Sequence, residues 1–176
     1  MDLGFDVVSL PEPEHPESGE TAPDFERPLV TDEYWADAAL SDLTAEGPVV
    51  LVFHPMDGAF PATYIWNELR DRGFDAYDAS VVGLSISTPY EHKSFIAEHE
   101  LADTGFRFFS DPSNEVAERY GVANDLDGMA GLAEARPATF VIDDTRTVRY
   151  AWAAREHPAF PDYDELQDAV ERVVDE

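Results

Sequence analysis

The strongest pattern along the chain is the unbroken apolar run Val49-Val50-Leu51-Val52-Phe53. Five consecutive apolar residues read as a strand buried on both faces. His54-Pro55 breaks the run, Met56-Asp57-Gly58-Ala59 loops, and a helix is predicted from Phe60 to Arg72, with Trp66 and Leu69 on its apolar side. Arg72-Gly73 is a helix-closing signal. A strand, a tight loop and a helix start is where α/β proteins place reactive groups. The first N–H groups of the helix face the loop and favour negative charge there.

The flanking pattern continues the alternation of strand and helix. Met1 to Leu10 carries a weak strand pattern through Phe5, Val7, Val8 and Leu10. Pro11 to Glu20, rich in proline and glutamate, reads as an extended linker with little to pack, so residues 1–18 are expected to be an extension and 19–176 the domain. Thr31 to Leu43 has partly helical spacing at Trp35, Ala38, Ala39 and Leu40, and Ser41-Asp42-Leu43 fits a short helical turn. A second apolar strand is expected from about Tyr77 to Ile86, then a helix from Tyr90 to about Glu100 with Phe95, Ile96 and His99 on one face. Phe106 to Ser110 reads as a short strand, and Asp111-Pro112-Ser113 opens a helix through Val116 and Tyr120 that Gly121 closes. Asn124 to Ala135 is a Gly/Asp-rich loop. Ala138 to Asp143 and Thr147 to Ala153 form a β-hairpin, and Asp162 to Glu176 is a terminal amphipathic helix with Leu166, Val170 and Val173 on one side. The order predicts an α/β protein with a thioredoxin-like fold, a central mixed β-sheet flanked by helices.

Charge changes the picture of the surroundings. Eleven basic residues stand against 38 acidic ones, a net charge of −27, and Lys93 is the lone lysine. The acidic residues run along the whole chain, which points to a halophilic, haloarchaeal-type source rather than an acidic docking tail. No basic patch can be assembled, so nucleic-acid and anionic-membrane partners are not expected. No apolar run approaches the roughly 20 residues of a membrane helix, and no basic region precedes an apolar stretch at the start, so a cytoplasmic location is expected. A homodimer or a protein partner is left open. There is no cysteine. Disulfides, thiolate nucleophiles and thiolate metal ligands are therefore excluded.

Several fragments in this order resemble the peroxiredoxins, the alkyl hydroperoxide reductase and thiol-specific antioxidant family with its redoxin domain. Gly19-Glu20-Thr21-Ala22-Pro23-Asp24-Phe25 resembles the family's G-x-x-A-P-D-F opening, and Phe53-His54-Pro55-Met56-Asp57 its F-Y-P-x-D loop. Asn67-Glu68-Leu69-Arg70-Asp71 is similar to N-x-x-R-D. Val82-Gly83-Leu84-Ser85, His92-Lys93-Ser94-Phe95, Phe109-Ser110-Asp111-Pro112, Tyr120-Gly121-Val122 and Thr139-Phe140-Val141-Ile142-Asp143 follow in the family's order. The resemblance covers about residues 19 to 155 and implies the fold.

The family's activity does not carry over residue by residue. Its active loop is P-x-x-x-T-x-x-C; here Pro55 keeps the proline, Ala59 holds the threonine position and Ala62 the position of the peroxide-attacking cysteine. The family's arginine position is Pro137, with Arg136 one residue out of register, and Pro137 is a candidate for the cis isomer that the thioredoxin group keeps opposite its active loop. Thr63 remains in the helix's first turn. Peroxide reduction needs a thiolate that becomes a sulfenic acid, and alanine offers no such chemistry. Met56 could be oxidised to a sulfoxide, but a thioether without polar donors is a poor catalyst.

Each remaining residue has a plain and a sharp reading. His54 could be an acid/base group, though loop packing in place of the family's tyrosine is the plainer one. Thr63 could donate to an anion; an ordinary first-turn hydroxyl is plainer. Arg136 could hold an anion near the helix start or pair with a carboxylate. Asp57 reads as solvated surface, and Asp57 with Glu68 does not argue a carboxylate pair. His15, His92, His99 and His157 show no ligand spacing, so no metal is expected, and no cofactor motif is present. Phe60, Tyr64 and Trp66 could line a small-ligand pocket, though aromatics there are more often core, and Trp35, Trp152 and Phe160 are core or interface candidates.

The functional expectation is a peroxiredoxin-like protein that has lost its peroxide-reducing cysteine and acts as a non-catalytic binding or regulatory relative. The alternative is an antioxidant peroxidase of the family that works by a non-thiol or partner-supplied thiol route. A different enzyme on the same fold, using His54 and Arg136 with a bound cofactor, has no motif in its favour.

Overall fold

The computed structural model describes residues 7–125 and 130–176. Its elements are β1 (Val8–Ser9), β2 (Glu26–Val30), β3 (Trp35–Ala39), α1 (Leu40–Thr44), β4 (Val49–Phe53), α2 (Phe60–Asp71), β5 (Ser80–Ser85) and α3 (Pro89–Glu98). They continue with β6 (Arg107–Ser110), α4 (Glu115–Arg119), β7 (Ala123–Asn124), β8 (Glu134–Ala135), β9 (Ala138–Ile142), β10 (Val148–Ala153), β11 (Glu156–His157) and α5 (Tyr163–Val174). Seven strands form one sheet in the order β10-β9-β4-β5-β6-β2-β3. β4, β5 and β6 are parallel, while β9 joins β4, β10 joins β9, β2 joins β6 and β3 joins β2 antiparallel. This is the expected mixed sheet of a thioredoxin-like α/β fold.

The apolar run at β4 lies inside the sheet between β9 and β5, and strand alternation splits it between two cores. Val49, Leu51 and Phe53 pack on one side with Phe25, Phe109, Tyr120 and Phe140. Val50 and Val52 pack on the other with Ile65, Trp66 and Leu69 of α2, Ile96 of α3, Phe108 and Val170 of α5. Phe108 and Phe109 on β6, and Phe140 and Val141 on β9, divide the same way. Both faces are covered, which is why β4 reads as a continuous apolar run rather than an alternating one.

Helix boundaries follow the signals in the chain. Asp71 ends α2 and Arg72 is its C-cap, followed by Gly73 at φ +74°. Thr88 caps α3 with a reciprocal bond pair to Glu91, and the Asp162 side chain accepts from the Glu165 N–H at the start of α5. The β9–β10 hairpin forms where it was expected.

Other expectations are corrected. The 31–43 stretch is not mainly helical: Trp35 to Ala39 is an edge strand paired with β2, and only Leu40 to Thr44 is helix. Trp35, Ala36 and Asp37 are exposed, so the strand has no inward face to mark it, and its pairing with β2 is set by tertiary contacts. β2 itself, with Pro28 in its middle, has no clean alternation either. β5 begins at Ser80 rather than Tyr77, because Ser80 is the residue opposite Val49, where β4 begins. The 124–135 stretch is not all loop: Ala123 pairs with Ala135 and Asn124 with Glu134. Residues 126–129 of that stretch, and 1–6 of the expected N-terminal strand, lie outside the described residues.

Residues 11–20 have almost no regular structure, yet they are fastened to the rest of the chain. The Leu10 N–H donates to Arg155 O at 2.9 Å and the Gly19 N–H to Val148 O at 2.8 Å. The His15 ring stands edge-on to Phe140 at 5.8 Å. Gly121, at φ +71°, lies so close that a Cβ there would sit 2.4 Å from the Glu14 carbonyl oxygen. The apolar pattern missed this because backbone groups, not side chains, make most of the attachment. No helix among the described residues is long and apolar enough to cross a membrane.

Candidate functional site

The site is assembled at the end of β4. The His54 N–H donates to Leu84 O at 3.2 Å, which carries the strand one residue further. Alternation then puts His54 on the side of Val50 and Val52, under α2 and α3. The chain turns through Pro55 to Ala59, with the Ala59 N–H donating to Met56 O at 3.1 Å, and α2 starts at Phe60. Ala59 is the N-cap and makes no side-chain capping bond.

A cavity of about 290 Å³ lies over this loop, walled by Pro55, Met56, Ala59, Phe60, Pro61 and His157 together with Asp57 and Gly58. A second, of about 320 Å³, lies on the other side of Asp57 and Gly58, against Tyr90, Ser94 and Phe95 of α3. Ala62 lines neither. Its methyl is fully buried in the core beside Ile65 and Trp66. Thr63 is half-buried, and its N–H donates to Ala59 O at 3.3 Å as ordinary first-turn backbone.

Among the described residues Arg136 pairs with no carboxylate, and it does not line the cavity over the loop. Its guanidinium donates to Pro11 O at 2.7 Å, to Ala154 O at 3.0 Å and to Asn124 Oδ1 at 3.3 Å, fastening the N-terminal segment. It is 2 % exposed, and burial lowers its pKa. The sequence cannot show this because two of the three acceptors are main-chain carbonyls, the nearer of them 18 residues away. Pro137 is buried and its carbonyl accepts from the Ala154 N–H at 2.8 Å. Its peptide bond is trans: among the described residues the cis bond is His157–Pro158, which corrects the expectation at Pro137.

Beneath the loop the structure brings together three residues that no spacing argument grouped. The Asp57 carboxylate lies between two imidazoles, 3.0 Å from His54 Nε2 and 2.6 Å from His92 Nδ1. Both histidines are fully buried, and the Asp57 side chain is 5 % exposed. The expected solvated Asp57 is therefore corrected. Its N–H donates to Ser87 Oγ at 2.8 Å, which ties the loop to the end of β5.

The proton positions follow from the partners. The Trp66 indole N–H can only donate, and it lies 3.1 Å from His54 Nδ1. Nδ1 is thus an acceptor, and the proton of His54 sits on Nε2, facing Asp57. His92 Nε2 faces the Phe109 carbonyl at 3.1 Å and Nδ1 faces Asp57, so both of its nitrogens donate. Burial lowers the pKa of His54 and outweighs its bond to Asp57, keeping it neutral. Burial pushes Asp57 up, but the bonds from His54 and His92 prevail and hold it well below the usual carboxylate range.

Three convergent atoms within 4.8 Å of one another could also be read as metal ligands. The partners do not fit that reading. A metal on His54 Nε2 would move the proton to Nδ1 and set it against the Trp66 N–H. The separations of 2.6 and 3.0 Å are those of hydrogen bonds, whereas ligands about 2.1 Å from one tetrahedral ion stand about 3.4 Å apart.

Gly83 on β5 makes the arrangement possible. A Cβ there would sit 2.6 Å from ring carbons of both Trp66 and Phe108. The bare backbone lets the indole lie down against the sheet and reach His54. One signal in the sequence could have located the cluster: His54 is the polar third member of the face that begins Val50, Val52. Asp57 and His92 are 35 residues apart and are joined only by the fold.

Comparison with known proteins agrees with the fold. The family model described as the AhpC/TSA family matches residues 18–151. A putative peroxiredoxin of Mycobacterium tuberculosis is 35% identical over 133 residues, covering 74% of this chain and 81% of the relative. The 2-Cys peroxiredoxin BAS1 of Spinacia oleracea chloroplasts is 26% identical over 141 residues, covering 76% of this chain and 51% of the relative. The chain thus spans about half to two thirds of the length of the chloroplast relatives it matches. Among solved structures, peroxidoxin BcpB of Mycobacterium tuberculosis superposes with a TM-score of 0.71 at 28% identity, covering 90% of this chain and 97% of that one. A cysteine-to-serine mutant of peroxiredoxin 6 of Arenicola marina reaches 0.75 at 17% identity over 88% of this chain and 71% of that one, a likeness of fold alone. With 134 of its 176 residues inside the family match, this cysteine-free chain belongs to the AhpC/TSA family of peroxiredoxins.

Proposed function

We propose that this chain is a non-catalytic member of its family, retained as a binding or regulatory protein. One observation carries the reading. Ala62, where the resemblance puts the reactive cysteine, is a fully buried methyl that reaches neither cavity beside the loop. The surroundings support it: Ala59 gives α2 no capping hydroxyl, and Arg136 is committed to main-chain carbonyls. What remains is an apolar cavity with Met56, Phe60 and Pro61 in its wall, suited to a small apolar ligand or a partner's side chain. Beside it Phe60, Tyr64 and Phe160 form a partly exposed aromatic cluster, with Tyr64 63% exposed, which supports a homodimer or protein partner docking here. The reading includes a salt-rich cytoplasm as its setting, supported by the net charge of −27.

Peroxide consumption by the purified chain with a thiol reductant tests the proposal. A rate equal to that of heat-denatured protein supports it; turnover above that control overturns it.

A further inference from the structure

The buried cluster has a property that neither the family fold nor the loss of the cysteine requires. His92 already places hydrogens on both nitrogens, one toward Asp57 and one toward Phe109 O, so the cluster holds one positive charge against one carboxylate. His54 completes it as a neutral ring. The position left for another proton is His54 Nδ1, and that atom accepts the Trp66 N–H at 3.1 Å. A proton there would set two donors against each other. It would also add a second positive charge to a dry site, next to His92 at a ring separation of 6.2 Å.

The groups facing His54 come from every element around it. Asp57 faces it from the loop, His92 and Phe95 from α3, Trp66 from α2 and Phe108 from β6. Asp57 is the one anion in that set, and it is already shared. A protonated His54 therefore cannot be accommodated as the cluster stands. The element free to move is the loop, because Asp57 is held by His54, His92 and two serine hydroxyls and is flanked by exposed Gly58.

We propose that His54, Asp57 and His92 form an acid-operated latch: a solvent proton taken up at His54 Nδ1 breaks the bond to Trp66 and releases the Pro55–Ala59 loop. Asp57 and Gly58 line both the 290 Å³ and the 320 Å³ cavity, so the same event reshapes both. The lowered pKa of His54 agrees with this, since proton uptake is opposed while the latch is closed. The device does not depend on the binding role proposed above; it holds whether or not either cavity has an occupant.

NMR on the full chain in molar salt tests it, acidifying from about pH 7 to about pH 5, the range in which histidines titrate. The expected result is that the Trp66 indole N–H resonance and the Met56–Ala59 amides change together. Loop-amide exchange should rise relative to β4 and β9 by about tenfold per pH unit as the opening takes up one proton. The ring nitrogens of His54 should titrate with the same midpoint as the loop. The His54→Gln variant can keep both bonds, its amide oxygen accepting from Trp66 and its NH₂ donating to Asp57, and cannot titrate; its loop should stay closed throughout. The proposal is overturned if the loop and β4 lose protection together, if the loop does not respond, if the His54 ring titrates apart from the loop, or if His54→Gln shows the same transition. The ring-nitrogen measurement needs only the wild type, so it decides the matter even if the variant does not fold.

Discussion

Trp66 Nε1–H donates to His54 Nδ1 at 3.1 Å, and that one bond sets the tautomer of a fully buried imidazole. Since burial lowers the folded pKa of His54 below its ordinary value of 6.5, the unfolded chain binds the extra proton first as pH falls. His54 therefore contributes stability that is complete above about pH 6.5 and is lost on acidification. The loss should run at up to about 1.4 kcal/mol per pH unit until the folded state takes up the proton as well. In Trp66→Phe the donor is gone and Nδ1 is free to bind a proton, so His54 should titrate at higher pH than in the wild type. The ring-nitrogen shifts measure this directly. An unchanged titration would mean that the indole does not control the tautomer.

Gly83→Ala should disturb the same site from below. A methyl 2.6 Å from ring carbons of Trp66 and Phe108 has nowhere to go in a packed core. A cost of about 1–3 kcal/mol is expected in denaturant unfolding, with displacement of the Trp66 indole N–H resonance. A neutral result would show that the indole has room to spare.

How far this was legible in the sequence depends on what each residue contacts. The apolar run at Val49–Phe53, the Arg72-Gly73 close and the hairpin around Asp144 are local patterns, and the structure follows them. Trp35–Ala39 misled because an exposed edge strand has no inward face to keep apolar, so its spacing carries no strand signal. That Ala59 and Ala62 stand where a threonine and a cysteine are expected is read from the resemblance to a family, not from any contact of theirs. The place of Arg136 was not legible, since main-chain carbonyls accept most of its hydrogen bonds and no side-chain pattern marks them. The His54–Asp57–His92 cluster was not legible either, because two of its members meet only after α3 has packed back over the loop.

Arg27→Ala should be among the more costly exposed-side substitutions. Its Nε donates to the fully buried Asp111 carboxylate at 3.0 Å, while the other Asp111 oxygen accepts the Val116 N–H at 2.9 Å at the start of α4. Removing the arginine leaves a buried carboxylate with only main-chain support, at an expected cost of about 3 kcal/mol. Denaturant midpoints at constant salt check this. A loss under about 1 kcal/mol would show that the pair behaves as a surface ion pair.

Salt should stabilise the chain. Self-repulsion at a net charge of −27 acts across the whole surface and is screened over about 10 Å at 0.1 M salt and about 3 Å at 1 M. The melting temperature is expected to rise steadily from low to molar potassium chloride. A flat or falling curve would contradict the halophilic reading.

Peroxide consumption by the wild type and by Ala62→Cys, measured side by side with a thiol reductant, separates a non-catalytic chain from a peroxidase. The wild type is expected to equal a heat-denatured control. The variant should gain at most a slow thiol, because position 62 is buried and Arg136 is held by main-chain carbonyls instead of facing it. Turnover by the wild type would contradict the claim that this chain is non-catalytic, and fast peroxide reduction by the variant would contradict the claim that its reactive pocket has been dismantled.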